Sequence, residues 1–460
     1  MRGRLLAGFV AVAVLVPSVV LATHTFSDVP DGTYYTEAVA WAKGNGMTTG
    51  CDGGTNFCPD RGVTRAENIT FAKRYDDLVV QPALDAIDTA IDANTTAADT
   101  AQTTADTAQM TADTAQTTAD AADAPDRVVW VADDGTGDFL LLSAALASIT
   151  DASASNPYVV RIAPGEYTET ATVALKTYVD VEGSGQGVTT ITCECGEGSN
   201  DATAATVSAG DIAAEIRHLT IENTGGAFYS FGVWTEDVAD GSVSMLHVTA
   251  TATGGNQQSY GVYNWESSPS MMNVTATATS SSHNYGVYNS RSSPSMTNVV
   301  ATATGDTDSG NYGVSNYEAS PSMMNVTATA SGTSGSYNFG VYNYDSSPSM
   351  TDVVATASGG DESFGVRNHS SSSPEMMNVS ATGTGGTLWS WGVYNYDSSS
   401  PSVRASSLTG DSHSIYNDGT SSAMVADTML GGEASGAGFT CLNTYTDAFV
   451  ALDEDCAVVP

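Results

Sequence analysis

The chain has 460 residues, and 52 acidic against 14 basic side chains give it a formal net charge of -38 at neutral pH. A field of this sign repels nucleic acid and anionic membranes, so we expect neither as a partner. The length allows two or three domains.

The first 22 residues have the parts of a secretory signal. Arg2 and Arg4 precede the apolar core LLAGFVAVAVLVPSVV, and Ala22 ends a short segment that suits a cleavage site. A retained membrane anchor is the alternative interpretation, and Pro17 favours removal. We therefore expect a secreted protein at the cell surface.

Export makes the six cysteines candidates for disulfide bonds. Cys193 and Cys195 share a strand face but lie near the geometric limit for a bridge, so their state stays open. The histidines are too scattered to complete the four ligands of a zinc site, so no metal and no cofactor are predicted. Two other pairs bracket short segments and are predicted to bond: Cys51–Cys58 and Cys441–Cys456.

Residues 26–75 have the pattern of a small helical module. TEAVAWAK has the apolar spacing of a short helix, which GNG ends. TRAE is a capping box, in which the Thr64 hydroxyl caps a second helix and Glu67 reaches back. The pattern predicts helix, loop, helix.

The combination of FSDVP, AVAWAKGNGMTTGCDGGTNFCP and VTRAE resembles an S-layer homology domain. Domains of this family hold exported proteins to bacterial cell-wall polysaccharide, with the Arg and Glu of TRAE near the glycan. The resemblance implies cell-wall polysaccharide as a partner and Arg65 and Glu67 as glycan-binding residues. The alternative is that these two residues only shape the start of the helix.

Residues 80–124 are predicted to form a coiled-coil stalk, because apolar and small residues follow alternating steps of four and three. The seam is mostly alanine, which buries little area, so we expect a homo-oligomer in which Asn94 sets the register. A flexible linker rich in Thr, Ala and Asp is the alternative.

The rest of the chain contains a repeat. Its period of 25 to 29 residues indicates a stacked array and is shorter than a propeller blade. A Gly-Val pair marks each copy, at Gly232, Gly261, Gly286, Gly313, Gly340, Gly365 and Gly392.

Each copy divides into three short strands. In YGVYN, alternation assigns Val262 and Tyr260 to one side and Gly261 and Tyr263 to the other. PSM and VTATA follow, and the inward parity changes between them, which requires a bend in the left-handed conformation. The bend is predicted at Asn273, Asn298, Asn325, Asp352 and Asn378.

This pattern predicts an all-β fold, a right-handed parallel β-helix with three short strands per coil, over residues 128–432. Residues 433–460 are predicted to cap its open end. Upstream, VADDGTGDF, LLLSAALASI, VVRIAPGEYTE and VDVEGSGQGVTTIT resemble the start of pectinesterase-type β-helices. The resemblance implies a capping helix near 142–149.

Pectinesterases act through two aspartates and an arginine in motifs of the type QDTL, DFIFG and LGRPW. None of these follows Ser184, so no catalytic residue is carried over. A carboxylate recurs after the first strand of successive copies, and a repeated position argues against one acid–base pair. The positions are Glu266, Glu318, Asp345 and Asp397.

A binding surface suits the outward aromatic residues better than a catalytic site does. Either their rings contact sugars, or they stack on one another to stabilise the rod. The sequence thus predicts a non-catalytic surface protein with a structural or adhesive role, and the alternative is a carbohydrate-active hydrolase or lyase with a divergent site. The candidate glycan contacts are Trp234, Tyr263, Tyr288, Tyr342 and Tyr394, with a second column at Trp265, Tyr317, Tyr344 and Tyr396.

Overall fold

The computed structural model divides the chain into two compact units, Met1–Asp120 and Ala121–Pro460. The predicted signal and, apart from 80–82 and 84, the predicted stalk lie outside the described residues. Within the part that is described, no helix is both long and apolar enough to cross a membrane. The structure describes residues 26–30, 35–82, 84, 127–196, 200–226, 228–238, 242–280, 282–305, 310–333 and 335–458.

The first unit has the predicted order of helix, loop and helix. Helix α1 spans Thr36–Gly44, a 3-10 turn spans Asp52–Gly54, and α2 spans Arg65–Tyr75 before a π-helical turn at Asp76–Val80. A small core is formed by the buried side chains of Phe26, Val29 and Val39. A disulfide joins Cys51 to Cys58 across the loop.

The second unit contains the predicted capping helix, α3 (Leu142–Ser148), and a 3-10 turn at Ala202–Ala204. Leu142, Ala145 and Leu146 of α3 are buried in the main core. An apolar helix at this position covers the interior of the first coils.

Parallel strands build the rest of the unit; the first precedes α3 and the others follow it. They are β1 (Val128–Val131), β2 (Tyr158–Ile162), β3 (Gly165–Glu169), β4 (Val173–Ala174), β5 (Val179–Glu182), β6 (Thr189–Cys193), β7 (Ala205–Ala209), β8 (Ala214–Asn223), β9 (Tyr229–Glu236), β10 (Val243–Ala252), β11 (Gln258–Trp265), β12 (Ser270–Met272), β13 (Thr275–Ser280), β14 (His283–Ser290), β15 (Ser295–Thr297), β16 (Val300–Gly305), β17 (Gly310–Tyr317), β18 (Ser322–Met324), β19 (Thr327–Gly332), β20 (Tyr337–Tyr344), β21 (Ser349–Thr351), β22 (Val354–Gly359), β23 (Glu362–His369), β24 (Glu375–Met377), β25 (Ser380–Thr384), β26 (Trp389–Asn395), β27 (Ser402–Arg404), β28 (Ser407–Gly410), β29 (His413–Asn417), β30 (Ala423–Ala426), β31 (Met429–Leu430), β32 (Ala434–Ser435), β33 (Phe439–Leu442) and β34 (Tyr445–Thr446).

The strands form a right-handed parallel β-helix, as predicted. One sheet of eleven strands runs from β4 to β32. The remaining strands form two stacks, and the long strands β8 and β10 run through both stacks and join them into a second sheet. Val262 pairs with Val287, which pairs with Val314, so like residues are stacked in register. Strands β32 to β34 continue the stacks past the predicted boundary at 432.

Two further disulfides lie in this unit. Cys441 is bonded to Cys456, and both are buried against the last coils of the core. Cys193 is bonded to Cys195 across a single residue, with their Cα atoms 5.2 Å apart. This pair, whose state the sequence left open, is therefore a disulfide.

The bend between the second and third strands is confirmed. Asn273, Asn298 and Asn325 have φ values of 55°, 54° and 52°, in the left-handed region that asparagine tolerates. Asp352 and Asn378 share this conformation. The bend allows Met and Val side chains at odd spacing to reach the same interior.

The side assignment of Tyr260 was wrong. Its ring lies 5.0 Å from that of Tyr263, on the outer side, and not beside Val262 in the core. The cause is Gly261, where a Cβ atom would point towards strand β13 and lie 2.7 Å from the amide nitrogen of Thr277. Gly261 and Val262 both face inward, so alternation is interrupted between them.

The same contact makes these glycines sensitive to substitution. A Cβ atom at Gly313 would lie 2.6 Å from the carbonyl oxygen of Gly340 and 2.7 Å from the amide nitrogen of Thr329, and backbone atoms cannot move aside locally. We expect Gly313→Ala to lower the free energy of unfolding by about 1–3 kcal/mol or more, measured by denaturant unfolding. Gly419→Ala is the control, because its methyl group would meet no atom within 4 Å. An equal loss in both variants would contradict this packing.

A ladder of buried asparagines, which the sequence did not lead us to predict, runs through the interior. Each side-chain NH2 donates to the amide oxygen of the next coil at 2.8–2.9 Å. The Thr235 hydroxyl donates to the first amide, and the last donates to the carbonyl oxygen of Ala437. The members are Asn264, Asn289, Asn316, Asn343, Asn368, Asn395 and Asn417.

Removing one rung leaves two buried partners without a bond. In Asn316→Ala, the donor of Asn289 and the acceptor of Asn343 are both orphaned, at a cost of about 1–3 kcal/mol for each group. We expect a large loss of stability in thermal unfolding. Asn325→Gly is the comparison, because it removes an exposed amide at a φ that glycine adopts freely. If the exposed bend were the more sensitive position, the buried ladder would not be what holds the coils in register.

Candidate functional site

Arg65 and Glu67 lie together at the start of α2. The Glu67 carboxylate accepts bonds from the backbone nitrogen of Thr64 at 2.8 Å and from its hydroxyl at 2.9 Å, and it pairs with Arg61. These contacts, led by the backbone bond, lower the pKa of Glu67 to about 2. Glu67 therefore completes the capping box, whereas the Arg65 side chain is exposed.

The candidate glycan contacts that begin with Trp234 and Tyr263 are more buried than aromatic residues of an open sugar-binding surface would be. Trp234 and Tyr263 are each only 5% exposed, and their ring centroids are 4.2 Å apart. Tyr288, Tyr342 and Tyr394 are half-buried. Burial leaves little free ring surface at the first two positions, so mutual stacking accounts for their contacts there.

A second set of rings packs beside that column and explains its burial. Neighbouring centroids in this set are 4.7–5.4 Å apart. Burial raises the pKa of Tyr260 and of Tyr285 well above the usual tyrosine value. The stacked rings are Phe231, Tyr260, Tyr285, Tyr312, Phe339, Phe364 and Trp391.

The repeated carboxylates occupy one turn in successive coils. Glu266, Glu318 and Asp345 have φ values of 46°, 50° and 47°, and Asp397 has 54°. Glu266 pairs with Arg291 at 2.9 Å, and the Arg291 guanidinium lies 4.5 Å from the Trp265 ring. These side chains form an ordinary surface turn, repeated along the helix.

The ring stacks end at a pocket of about 450 Å³. The strands of this sheet shorten from eight residues in β23 to seven in β26, five in β29 and two in β32. Fewer rings therefore cover one another, and a concave surface remains. Its lining residues are Glu362, Phe364, Arg367, Trp389, Trp391, Tyr394, Ser412, His413 and Tyr416.

Aromatic rings form much of the pocket wall. Trp391 lies between Tyr416, with centroids 4.8 Å apart, and Trp389, at 5.7 Å, and both pairs are stacked. Trp391 is buried, but Trp389 is 47% exposed. Trp389 thus offers a free ring face at the mouth of the pocket.

Three buried polar atoms in the pocket residues have no hydrogen-bond partner in the described protein. They are Arg367 Nε, Trp391 Nε1 and His413 Nδ1. Leaving such groups unpaired costs about 1–3 kcal/mol each, and the three residues that carry them all line one pocket. Sequence reasoning missed them because they come from three different coils.

One cation, Arg367, and one carboxyl group, that of Glu362, lie on the same strand β23, and both line the pocket. The Arg367 Cζ atom lies 5.4 Å from the Tyr394 ring and 5.6 Å from the Tyr342 ring. Burial, and to a smaller extent Asp361, raise the pKa of Glu362, while Arg367 opposes the shift. Across the described residues, no cluster of three metal-ligating side chains is found.

Known proteins share this fold. The family model for Pectinesterase matches residues 128–258, the first coils of the β-helix. A pectin methylesterase from carrot is 16% identical, with 65% of this chain and 82% of that one covered and a TM-score of 0.32. The A-module of mannuronan C-5 epimerase AlgE4 from Azotobacter vinelandii is 16% identical, with 66% and 91% covered and a TM-score of 0.40. No curated protein sequence matches the chain significantly. Residues 128–258, the opening coils of the second unit, are thus similar to pectinesterases.

Proposed function

We propose that this is an exported bacterial surface protein with a structural or adhesive role, whose β-helix contacts glycans without catalysis. The observation that carries the proposal is the pocket at the end of the ring stacks. Aromatic side chains line it together with Glu362, Arg367 and His413, which is the usual character of a small-molecule site. The remainder of the rod repeats the same side chains in register.

The first unit supplies the attachment in this proposal. Its resemblance to S-layer homology domains and the exposed Arg65 guanidinium support binding to cell-wall polysaccharide. A stalk at 80–124 that forms a homo-oligomer would bring several copies of the first unit together. Their individually weak contacts with the cell wall would then act jointly. Secretion by the signal at 1–22 completes the route to the surface.

Retention on purified cell walls tests the attachment. We expect full-length protein to sediment with the walls, and Arg65→Ala to weaken binding by about tenfold, because a charged hydrogen bond is lost. Lys73→Ala is the control, since it removes an exposed positive charge from the same helix. Wild-type protein that stays in the supernatant, or an equal loss in both variants, would contradict the attachment.

A divergent carbohydrate-active enzyme is the second candidate, and Glu362 is the observation that favours it. A half-buried carboxyl with a raised pKa can act as a general acid. We expect incubation with pectin and other polyuronides to release neither methanol nor unsaturated ends. Product formation that is abolished in Glu362→Gln would establish the enzyme instead.

A further inference from the structure

Three residues that line the pocket lie at positions where a column of like side chains is interrupted. Register aligns Tyr337, Glu362 and Trp389 in one column. In the next column His413 follows Trp391, and in a third Arg367 stands between Tyr342 and Tyr394. Each of Glu362, Arg367 and His413 thus has an aromatic residue as its register partner in a neighbouring coil. All three line the pocket.

The polar side chains there suit hydroxyl groups. The Arg367 guanidinium can only donate, whereas the neutral His413 imidazole has one donor and one acceptor. The Glu362 carboxyl adds acceptor capacity at the same wall. A sugar hydroxyl both donates and accepts, and the apolar face of a sugar ring can lie on the exposed face of Trp389.

The charges of the pocket and of the whole chain favour a neutral sugar over an acidic one. Arg367 is the one cation among the lining residues with a fixed positive charge, and Glu362 lies at the same pocket. The chain as a whole carries a net charge of -38, which repels an anionic chain on approach. A uronate would therefore meet a repulsive field without an excess of local positive charge.

We propose that the pocket between Trp389, Arg367 and His413 binds a neutral sugar ring of a glycan. This inference rests on the proposed function, since it names the kind of sugar that the β-helix contacts. The ring lies on Trp389, and its hydroxyls pair with the Arg367 guanidinium and the Glu362 carboxyl, whose side chains line the pocket. A volume of about 450 Å³ lies in the range of small-ligand sites.

Calorimetric titration of the full-length protein tests this, with cellohexaose, mannohexaose and maltohexaose as neutral probes and hexagalacturonate as the acidic one. We expect at least one neutral probe to bind more tightly than hexagalacturonate. Trp389→Ala should weaken that binding by about tenfold, through loss of the stacking face. Arg367→Lys should also weaken it, because lysine keeps the charge but lacks the planar guanidinium with its several fixed donors.

Tyr337→Ala is the matched control. Tyr337 occupies the same column as Trp389, two coils earlier, and is equally exposed at 47%. Tighter binding of hexagalacturonate, no binding of any probe, or equal effects of Tyr337→Ala and Trp389→Ala would each overturn the proposal. If Trp389→Ala is still retained on cell walls and Arg65→Ala is not, wall attachment and sugar binding are separate properties. Failure of one would then leave the other intact.

Discussion

The hydrogen bond from each interior asparagine to its counterpart one coil later is the interaction on which the structure depends. An unpaired amide in this core would be costly, but each amide here is satisfied only when like residues are in register. A strand displaced by one residue would bury the wrong side chain and break the bonds on both sides. The ladder thus sets the register that backbone pairing alone leaves free.

Register has a second consequence outside the core. Gly261 and its equivalents bring the first strand close to the opposite sheet, so two successive residues face inward and Tyr260 is turned outward beside Tyr263. Repetition then stacks these rings into two adjoining columns that cover each other. An apolar outer face is in this way buried by its own neighbours along the rod.

Much of this fold could be predicted from sequence, because the period and the change of parity at Asn273 are local signals. The pairing of Asn264 was not predicted, since a polar residue at an inward position gains its partner only from another coil. Tyr260 was misassigned because alternation was assumed to continue through Gly261. The candidate pocket depends on residues about 25 positions apart, which become neighbours only once the register is known.

A strictly repeating rod offers the same surface at every coil, and a specific site requires that the repetition stop. In this chain it stops where the strands shorten and where Arg367 and His413 replace rings in their columns. Arg367 places a guanidinium against the rings of Tyr342 and Tyr394, and His413 places an imidazole beside Trp391. Polar side chains and the partly exposed ring of Trp389 therefore meet at the same break in the repeat. The ladder continues unbroken beneath them through Asn368, Asn395 and Asn417, so the coils that carry the pocket are held as firmly as the rest.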